Sequence, residues 1–334
     1  MKFGLQPTEG GAFFDEAIAE LRLAEEVGFD SVWLSEHHGV RNHYWPSPLL
    51  ALGAFAKQTA RVALGTNVIV LPFYHPRRVV EDAAMLQLLA GGRIILGVGM
   101  GYREDEYAGF GVPTSERGRR YEEGLAAIRY LLSDARSERS ERTGFAGRYF
   151  PMGAVQVEPA AVVPVWAGGW GTHNLRRAAQ YADAWIPGPV ADLDQLLHCR
   201  AQYHDFLRAL GCDPSTRPQP LTRELIVAPT ESQALDAAEK YLLPIYRDEY
   251  GGGWKHSLVG ARDAGNLSEI GQQRFIVGSP DRVIEGIRFF ANRFGCDQMI
   301  FRLYGPHTPH DFIMKEIALL GREVLPAFAK TKTL

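Results

Sequence analysis

The chain has 334 residues, of which 46% are hydrophobic and 22% charged, as in a globular protein with a large core. Its net charge of −3 argues against a nucleic-acid or membrane-surface partner, since either would need a concentrated basic field. The cysteines Cys199, Cys212 and Cys296 lack metal-cluster spacing, so we expect free thiols in a reducing cytoplasm. We expect neither a signal peptide nor a membrane span, because Met1-Lys2 leads directly into strand-like sequence and no apolar run is long enough.

Strand and helix patterns alternate along the chain. The strands are nearly continuous apolar runs, as in strands covered on both faces, and the helices carry apolar residues at helical spacing. The predicted strands are Lys2–Gln6, Ser31–Ser35, Val62–Leu71, Arg93–Val98, Val163–Ala167, Ala184–Ile186, Leu221–Ala228 and Gln298–Leu303. The predicted helices are Asp15–Val27, Ser47–Lys57, Pro76–Ala90, Arg117–Ser133, Thr172–Tyr181, Asp192–Leu210, one from Glu231, and Pro309–Phe328. About eight such units predict a single α/β domain over residues 1–334, a (β/α)8 TIM barrel with insertions.

Two segments, near 134–157 and 251–273, do not fit this alternation. The first contains a charged run over 135–142, which we interpret as a solvated linker, followed by a short β-excursion over Arg148–Val157. The second is rich in glycine and polar residues around a lone Trp254. A long irregular connection in a compact domain is usually a functional lid or disordered, and we favour a lid slightly.

Barrel sites form just after the strands, at their C-terminal ends. Glu36, His37 and His38 follow the second predicted strand. Adjacent strand residues point to opposite faces, so only one of the two histidines faces inward if the strand continues through them. A histidine at a strand end is also commonly an ordinary hydrogen-bonding residue, so the pair alone leaves both interpretations open.

Two glycine-containing loops are candidate cofactor contacts. The run Gly97–Gly101 is not a dinucleotide fingerprint, because Tyr102 stands where the third glycine is expected and acidic residues follow. It is either a backbone kept small for a flat ring or a plain tight turn. The loop Gly168–Asn174 leads into a helix with Thr172 as its expected N-cap, which suits either an anion or a merely structural cap. The histidines show no metal-site spacing, so no metal is expected.

In their order and spacing, these segments resemble the bacterial luciferase-like flavin monooxygenases, an α/β-barrel family. The similarity runs from Lys2 to about Tyr304 and is densest over Leu64–Gly111. It includes Leu34-Ser-Glu-His-His38, and Pro164-Val-Trp-Ala-Gly-Gly169 followed by Ala178-Ala-Gln-Tyr-Ala-Asp183. The stretch Phe275-Ile-Val-Gly-Ser-Pro280 belongs to it as well.

The resemblance implies roles for individual residues. His37 matches the family's active-site histidine near the reactive edge of the flavin, where it would hydrogen-bond or move protons. Asn67-Val68 match a position where the family often has a non-prolyl cis peptide under the flavin ring. The remaining implied cofactor contacts are Gly99, Met100, Gly101 and Tyr102 beside the flavin tail, and Gly168, Gly169 and Thr172 at the phosphate. Some relatives have an arginine at the position of Met100, so here the phosphate would rely on backbone amides together with Arg176 or Arg103.

The function implied by the resemblance is a two-component monooxygenase. Reduced FMN from a separate flavin reductase would react with O2 through a C4a-peroxyflavin and place one oxygen atom in a small organic substrate. The expected substrate side consists of Glu36, His38, Tyr44, Trp45, Tyr74 and His75, although the aromatics among them are equally compatible with a core role. One alternative is a hydride-transfer enzyme that uses a deazaflavin coenzyme, and a second is a non-catalytic flavin-binding barrel. A homodimer is expected by analogy alone.

Overall fold

The computed structural model describes residues 1–40, 44–133, 144–154, 156–253, 256–259, 267, 271, 273–305 and 308–329. Within these residues the chain alternates between strands and helices. The strands are β1 (Lys2–Gln6), β2 (Ser31–Leu34), β3 (Ala63–Thr66), β4 (Ile69–Val70), β5 (Ile94–Gly99), β6 (Val165–Ala167), β7 (Ala184–Trp185), β8 (Pro220–Val227), β9 (Phe275–Gly278) and β10 (Gln298–Arg302).

The helices lie between these strands. They are α1 (Phe14–Val27), α2 (Pro48–Ala56), α3 (Pro76–Leu89), α4 (Glu104–Gly109), α5 (Arg117–Ser133), α6 (Thr172–Tyr181), α7 (Leu193–Ala209), α8 (Glu231–Ala237), α9 (Pro280–Phe294) and α10 (His310–Leu319). Wider π-helical turns continue α8 over Ala238–Leu242 and Ile245–Gly253, and α10 over Leu320–Val324. Among the described residues, no helix combines the length and the apolar character that crossing a membrane requires.

The chain divides into two compact units. The first consists of Met1–Trp33, Pro187–Arg200 and Pro218–Leu334, and the second of Leu34–Ile186 and Ala201–Arg217. The prediction of a single domain remains a prediction.

In the first unit, parallel strands follow the order β2-β1-β10-β8-β9. In the second unit the order is β3-β5-β6-β7, again parallel, and β4 pairs with the last residues of β5. Parallel pairing with helices between successive strands confirms the predicted α/β class.

Local sequence signals explain several element ends. Gly28 adopts a left-handed conformation (φ 108°) after α1, and its N–H group caps the carbonyl of Ala24. Pro76 opens α3, where it costs no hydrogen bond, and the His75 side chain accepts a hydrogen bond from the Arg77 N–H group at 3.3 Å. These helices therefore begin and end close to where the sequence predicted.

Three predicted features differ in the structure. The expected strand Val62–Leu71 is interrupted at Asn67-Val68 and becomes β3 and β4. Over the expected β-excursion, the described residues form only an isolated bridge between Phe145 and Met152. Helix α4 and the pair β9–α9 were not predicted as elements. The charged run at 135–142 and most of 254–273, including Trp254, lie outside the described residues, so the linker and the lid remain predictions.

One carboxylate fixes the chain where it returns after α5. The Glu123 side chain accepts hydrogen bonds from the backbone N–H groups of Arg148, Tyr149 and Phe150 at 3.0, 2.7 and 2.6 Å. The Arg120 guanidinium lies over both of the aromatic rings, 5.3 Å from that of Tyr149 and 5.1 Å from that of Phe150. This return point is therefore anchored to α5 by both charge and stacking.

Candidate active site

The site lies in the second unit and begins where β2 ends. His37 stands three residues beyond this strand, and its N–H group donates to the carbonyl of Trp45 at 3.3 Å. Its Nδ1 atom lies 3.0 Å from Glu106 Oε1, on α4, across 69 positions of sequence. The His37 side chain is 15% exposed and the Glu106 side chain 2%. A partly accessible imidazole is thus held against a buried carboxylate.

Glu106 gathers further donors at the same oxygen. Glu106 Oε1 accepts from the His38 backbone N–H group at 2.8 Å and from Arg103 Nη1 at 3.2 Å. Burial raises the pKa of the Glu106 carboxyl, but the hydrogen bond and charge of His37, the His38 N–H group and Arg103 together outweigh it and lower that pKa. Glu106 is therefore an ionised carboxylate at neutral pH.

The second histidine has a carboxylate of its own. His38 Nε2 lies 2.6 Å from Glu36 Oε1, which also accepts from the Tyr74 hydroxyl at 2.6 Å. The other oxygen of Glu36 accepts from the Val70 N–H group at 2.7 Å. Burial, together with the adjacent charge of Glu36, raises the pKa of the Tyr74 hydroxyl, which therefore keeps its hydrogen. The two neighbouring histidines thus have separate carboxylate partners, as expected if they do not share one role.

Three predicted cofactor segments meet at Val68. The Asn67–Val68 peptide is cis, as the family resemblance implied. A Cβ atom built on Gly168 would lie 3.3 Å from Val68 Cγ1, and one on Gly99 would fall inside the contact distance of Val68 Cγ2. The Asn67 N–H group donates to the Leu34 carbonyl at 2.7 Å, which places this junction beside the end of β2. The structure therefore brings together segments at 67–68, 99 and 168, next to the strand that carries His37.

On one face of the run at 97–101, the chain itself accounts for the small residues. Val68 occupies the space that a side chain at Gly99 would need. At Gly101 (φ 74°) a Cβ atom would lie 2.6 Å from Val70 Cγ1. The chain's own valines, rather than an external ring, therefore require glycine on that face.

Neighbouring groups hold the rest of this loop in place. The Met100 carbonyl accepts a hydrogen bond from the Tyr107 hydroxyl. The Tyr102 ring is edge-on to His37, with centroids 6.2 Å apart. The loop beside the expected flavin tail is therefore tied to both α4 and the histidine.

The expected phosphate loop precedes α6. Its Gly168 and Gly169 carbonyls accept hydrogen bonds from the Tyr121 hydroxyl and from Trp185 Nε1, both at 3.0 Å. The N-cap is Gly171 (φ 76°) rather than Thr172, whose hydroxyl instead donates to Gln202 Oε1 at 3.0 Å, so the predicted cap was wrong. The first N–H groups of a helix have no partner within the helix, so the start of α6 still suits an anion.

The two arginines considered for the phosphate are engaged elsewhere. Arg103 is almost fully buried and contacts the His38 carbonyl, Glu106 and Asp105. Arg176 is 52% exposed and approaches Glu122 at 4.0 Å. The structure assigns Arg103 to the histidine cluster.

Three of the expected substrate residues differ in their exposure. Glu36 is 2% exposed with both oxygens engaged, and Trp45 is 4% exposed with its ring edge-on to Phe55. His75 is exposed at the start of α3. Little of the Glu36 and Trp45 side chains is accessible, and substrate contact by these three residues remains a prediction.

The remaining expected substrate residues stay close to the histidines. Tyr44 (φ 62°) packs edge-on to His37 at 4.8 Å between ring centroids. His38 is 17% exposed and meets Phe110 at 4.6 Å between centroids. Phe110 stacks on Phe73 at 4.4 Å and is itself 44% exposed. Sequence reasoning missed Glu106, for which the acidic run after Gly101 gave no specific signal.

Among the described residues, no group of three or more His, Cys, Asp or Glu side chains is arranged to hold a metal ion.

The sequence profile of the luciferase-like monooxygenases matches residues 1–297. The chain belongs to this family. An F420-dependent glucose-6-phosphate dehydrogenase from Microbacterium testaceum is 34% identical to it over 346 residues, covering 92% of this chain and 91% of that protein. A 4-hydroxyprotoasukamycin monooxygenase from Streptomyces nodosus subsp. asukaensis is 30% identical over 330 residues, covering 92% and 86%.

A similar fold is seen in the crystal structure of the monooxygenase RslO1 from Streptomyces bottropensis. It superposes with a TM-score of 0.83 at 23% identity, covering 98% of this chain and 100% of that one. This similarity confirms the predicted α/β-barrel fold. Because this chain belongs to the luciferase-like family, it is an oxidoreductase.

The residues present fit a flavin-type cofactor. Gly99 and Gly168 both lie against Val68. Helix α6 begins directly after Gly171, and its N-terminus could receive an anionic tail. His37, which is partly exposed, lies in the loop that follows β2. Small residues beside Val68 and the first N–H groups of α6 are therefore compatible with a flat ring that carries a phosphate tail.

Proposed function

We propose that the protein is a reduced-FMN-dependent monooxygenase of the luciferase-like family, acting on a small organic substrate with O2. The observation that carries this proposal is His37, held by the Glu106 carboxylate next to the convergent segments at Asn67-Val68, Gly99 and Gly168. Bound reduced FMN would supply the redox chemistry with O2. The chain's own part is to bind the cofactor, exclude water and handle a proton at His37.

The residues proposed to bind the cofactor form two groups. Asn67 and Val68 would contact the ring, and Gly99, Met100, Gly101 and Tyr102 would lie beside the tail. Gly168, Gly169 and the start of α6 at Thr172 would receive the phosphate, because a helix N-terminus attracts an anion.

A deazaflavin coenzyme is the second candidate, favoured by the 34% identical F420-dependent dehydrogenase. Hydride transfer to or from such a coenzyme does not use O2, so the two candidates differ in oxygen consumption. The monooxygenase relative and the double-histidine arrangement support FMN. A non-catalytic flavin-binding barrel would show no turnover with either cofactor.

The deciding experiment titrates the purified protein anaerobically with reduced FMN or reduced F420, and then admits O2. We expect reduced FMN to bind and, once O2 is admitted, the wild-type protein to form oxygenated product. His37→Ala should lower O2-coupled product formation by about 100-fold, within the usual range for a positioned acid or base. His204→Gln on α7 is the matched control. Binding of F420 alone, with no O2 uptake, would replace the monooxygenase with the hydride-transfer enzyme.

A separate flavin reductase is part of this proposal. Gly97 and Gly99 lie at the end of β5 beside Val68, and the run at 97–101 lacks the glycine spacing of a dinucleotide-binding turn, which supports a separate source of reducing equivalents. Reduced flavin would then come from another protein. An NADH-dependent reductase added in a separate dialysis chamber should sustain turnover if free reduced FMN is the carrier.

We also propose a cytoplasmic homodimer. Helices α2 and α3 of the second unit expose apolar side chains at Leu50 (78%), Met85 (49%), Leu88 (59%) and Leu89 (41%). Exposed apolar patches commonly mark a protein interface, and these four side chains are the candidates for one. The three cysteines lie within the described residues and form no disulfide bond there, which suits a reducing compartment. Light scattering of wild type and Leu88→Glu should show a dimer that the variant weakens.

A further inference from the structure

We propose that Glu106 is a positioning residue that holds His37 with its hydrogen on Nδ1 and so keeps Nε2 as the acceptor for the reaction. The catalytic consequence rests on the proposed function of His37. The arrangement of the ring itself is a property of the unliganded protein and does not depend on that function.

The geometry around His37 fixes the ring at one nitrogen. Glu106 Oε1 lies 3.0 Å from Nδ1, within the range of a charge-assisted hydrogen bond. Because an ionised carboxylate has no hydrogen to donate, the hydrogen in this bond belongs to the imidazole. Tyr44 meets the same ring edge-on at 4.8 Å between centroids, and Tyr102 does so at 6.2 Å. A neutral His37 held in this way has Nε2 as its acceptor.

Glu106 is itself held in place, which is what a positioning residue requires. Its Oε1 atom is fixed by the His38 N–H group and by Arg103, and Arg103 also donates to the His38 carbonyl at 3.1 Å. The carboxylate is thus attached to the backbone next to the ring that it orients. Among the described residues, the charged and titratable groups around His37 and its carboxylate include Glu106, Arg103, Tyr44 and Tyr102.

The neighbouring pair provides an internal comparison, since its geometry is reversed. His38 meets its carboxylate, Glu36, through Nε2 rather than Nδ1. The same reasoning therefore assigns the hydrogen of His38 to Nε2. Two adjacent histidines in one loop are expected to hold opposite tautomers, each set by a different buried glutamate.

The first test needs no variant and no cofactor. The unliganded wild-type protein, labelled with 15N-histidine, is measured by long-range 1H–15N NMR, with His37→Gln and His38→Gln used only to assign signals. We expect the Nδ1–H pattern for His37 and the Nε2–H pattern for His38. An Nε2–H pattern for His37 would overturn the proposal.

Two variants separate the roles of the acceptor and of the charge. Glu106→Leu removes the acceptor and should shift His37 towards the Nε2–H tautomer, whereas Glu36→Gln should leave the His37 signals in place. Glu106→Gln keeps an acceptor oxygen and guards against loss of folding in the leucine variant. It should preserve the Nδ1–H tautomer but lower turnover by roughly 10–100-fold and change the pH profile of kcat, with the affinity for reduced FMN unchanged. Glu106→Asp should recover part of that loss.

Wild-type turnover and pH profile in a folded Glu106→Leu protein, which has lost the acceptor, would refute the positioning role, and an unchanged Glu106→Gln would show that the charge of Glu106 is not needed. If reduced FMN fails to bind the wild type, the proposed function fails, and the same kinetic comparison is then made with reduced F420. The tautomer measurement is unaffected by that outcome, so the two failures are distinguishable.

Discussion

Substitution of Gly4 by alanine should strongly destabilise the protein, because three buried atoms already surround that position. A Cβ atom on Gly4 in β1 would lie 2.7 Å from Ser31 Oγ and 2.8 and 3.0 Å from Nε1 and Cδ1 of Trp33. Ordinary contact begins at 3.4 Å, so these groups would have to move by about 0.4 to 0.7 Å. Trp33 is fully buried and cannot move outwards.

The cost follows from two terms. Overpacking a close-packed core costs about 1–3 kcal/mol. The methyl group also presses on the hydrogen bond from Trp33 Nε1 to Ser31 Oγ (2.8 Å), whose loss adds about 0.5–1.5 kcal/mol. Gly4→Ala should therefore lower the free energy of unfolding by about 2–4 kcal/mol. Urea denaturation followed by circular dichroism measures this loss.

A matched control is the same glycine-to-alanine substitution at a position where it should stabilise the protein. Gly53 lies inside α2, and its added Cβ atom would meet only Leu86 Cδ2 at 3.4 Å. Gly53→Ala should therefore stabilise by about 0.5–1 kcal/mol, because glycine is unfavourable within a helix. Gly4→Ala should cost less in a Trp33→Phe background, which removes the indole nitrogen. A Gly4→Ala protein within about 0.5 kcal/mol of wild type would refute the reasoning.

The remaining predictions concern buried charges. The folded-state pKa of Glu106 is lowered, so the stability it contributes is present above the unfolded value of about 4.3 and is lost as the pH falls through the folded value. The stability gap between wild type and Glu106→Gln should therefore narrow on acidification, and a constant gap in urea titrations would contradict this. Burial raises the pKa of the Glu316 carboxyl, so the stability that this group contributes is present below a pH of about 4.3 and is lost as the pH rises. Glu316→Gln keeps an acceptor for the Val227 N–H group. The free energy of unfolding of this variant, relative to that of the wild type, should therefore increase from about pH 5 to 8. Arg223 Nη1 donates to three backbone carbonyls, and burial lowers the pKa of this guanidinium to about 10, so it stays charged at neutral pH. Arg223→Met should cost about 3 kcal/mol or more and Arg223→Lys less, as measured by the urea midpoint.

Elements with strong periodicity were predictable from the sequence. The predicted bounds of α5 and α6, Arg117–Ser133 and Thr172–Tyr181, agree with the structure, because apolar spacing marks the buried face of a helix. Helix α4 was missed because its six residues are too few to show a period, and its acidic first turn looked like a loop. The pair β9–α9 was missed because the apolar run Phe275–Gly278 is short and directly follows the irregular segment 251–273.

The sequence predicted those parts of the site that a local motif marks, and it did not predict contacts between residues far apart in the chain. The cis peptide at Asn67-Val68 and the glycines near Val68 followed from the family resemblance. The bond between His37 and Glu106 joins residues 69 positions apart, and no local pattern encodes such a pairing. The sequence likewise could not show that Glu36 is buried, because burial depends on how Val70 and Tyr74 fold over it.

The anchoring of Arg148, Tyr149 and Phe150 by Glu123 has a consequence for engineering this protein. Three consecutive N–H groups bound to one carboxylate set the position at which the chain rejoins α5, whatever precedes them in the sequence. The length of the preceding stretch is then nearly free to vary, since each doubling of a loop costs only about 0.6 kcal/mol in closure entropy. Insertion of an affinity tag or a fluorescent domain at 135–142 should be tolerated as long as Glu123 is kept. The same insertion placed after Phe145 should be tolerated less well, because it would fall inside the bridge between Phe145 and Met152.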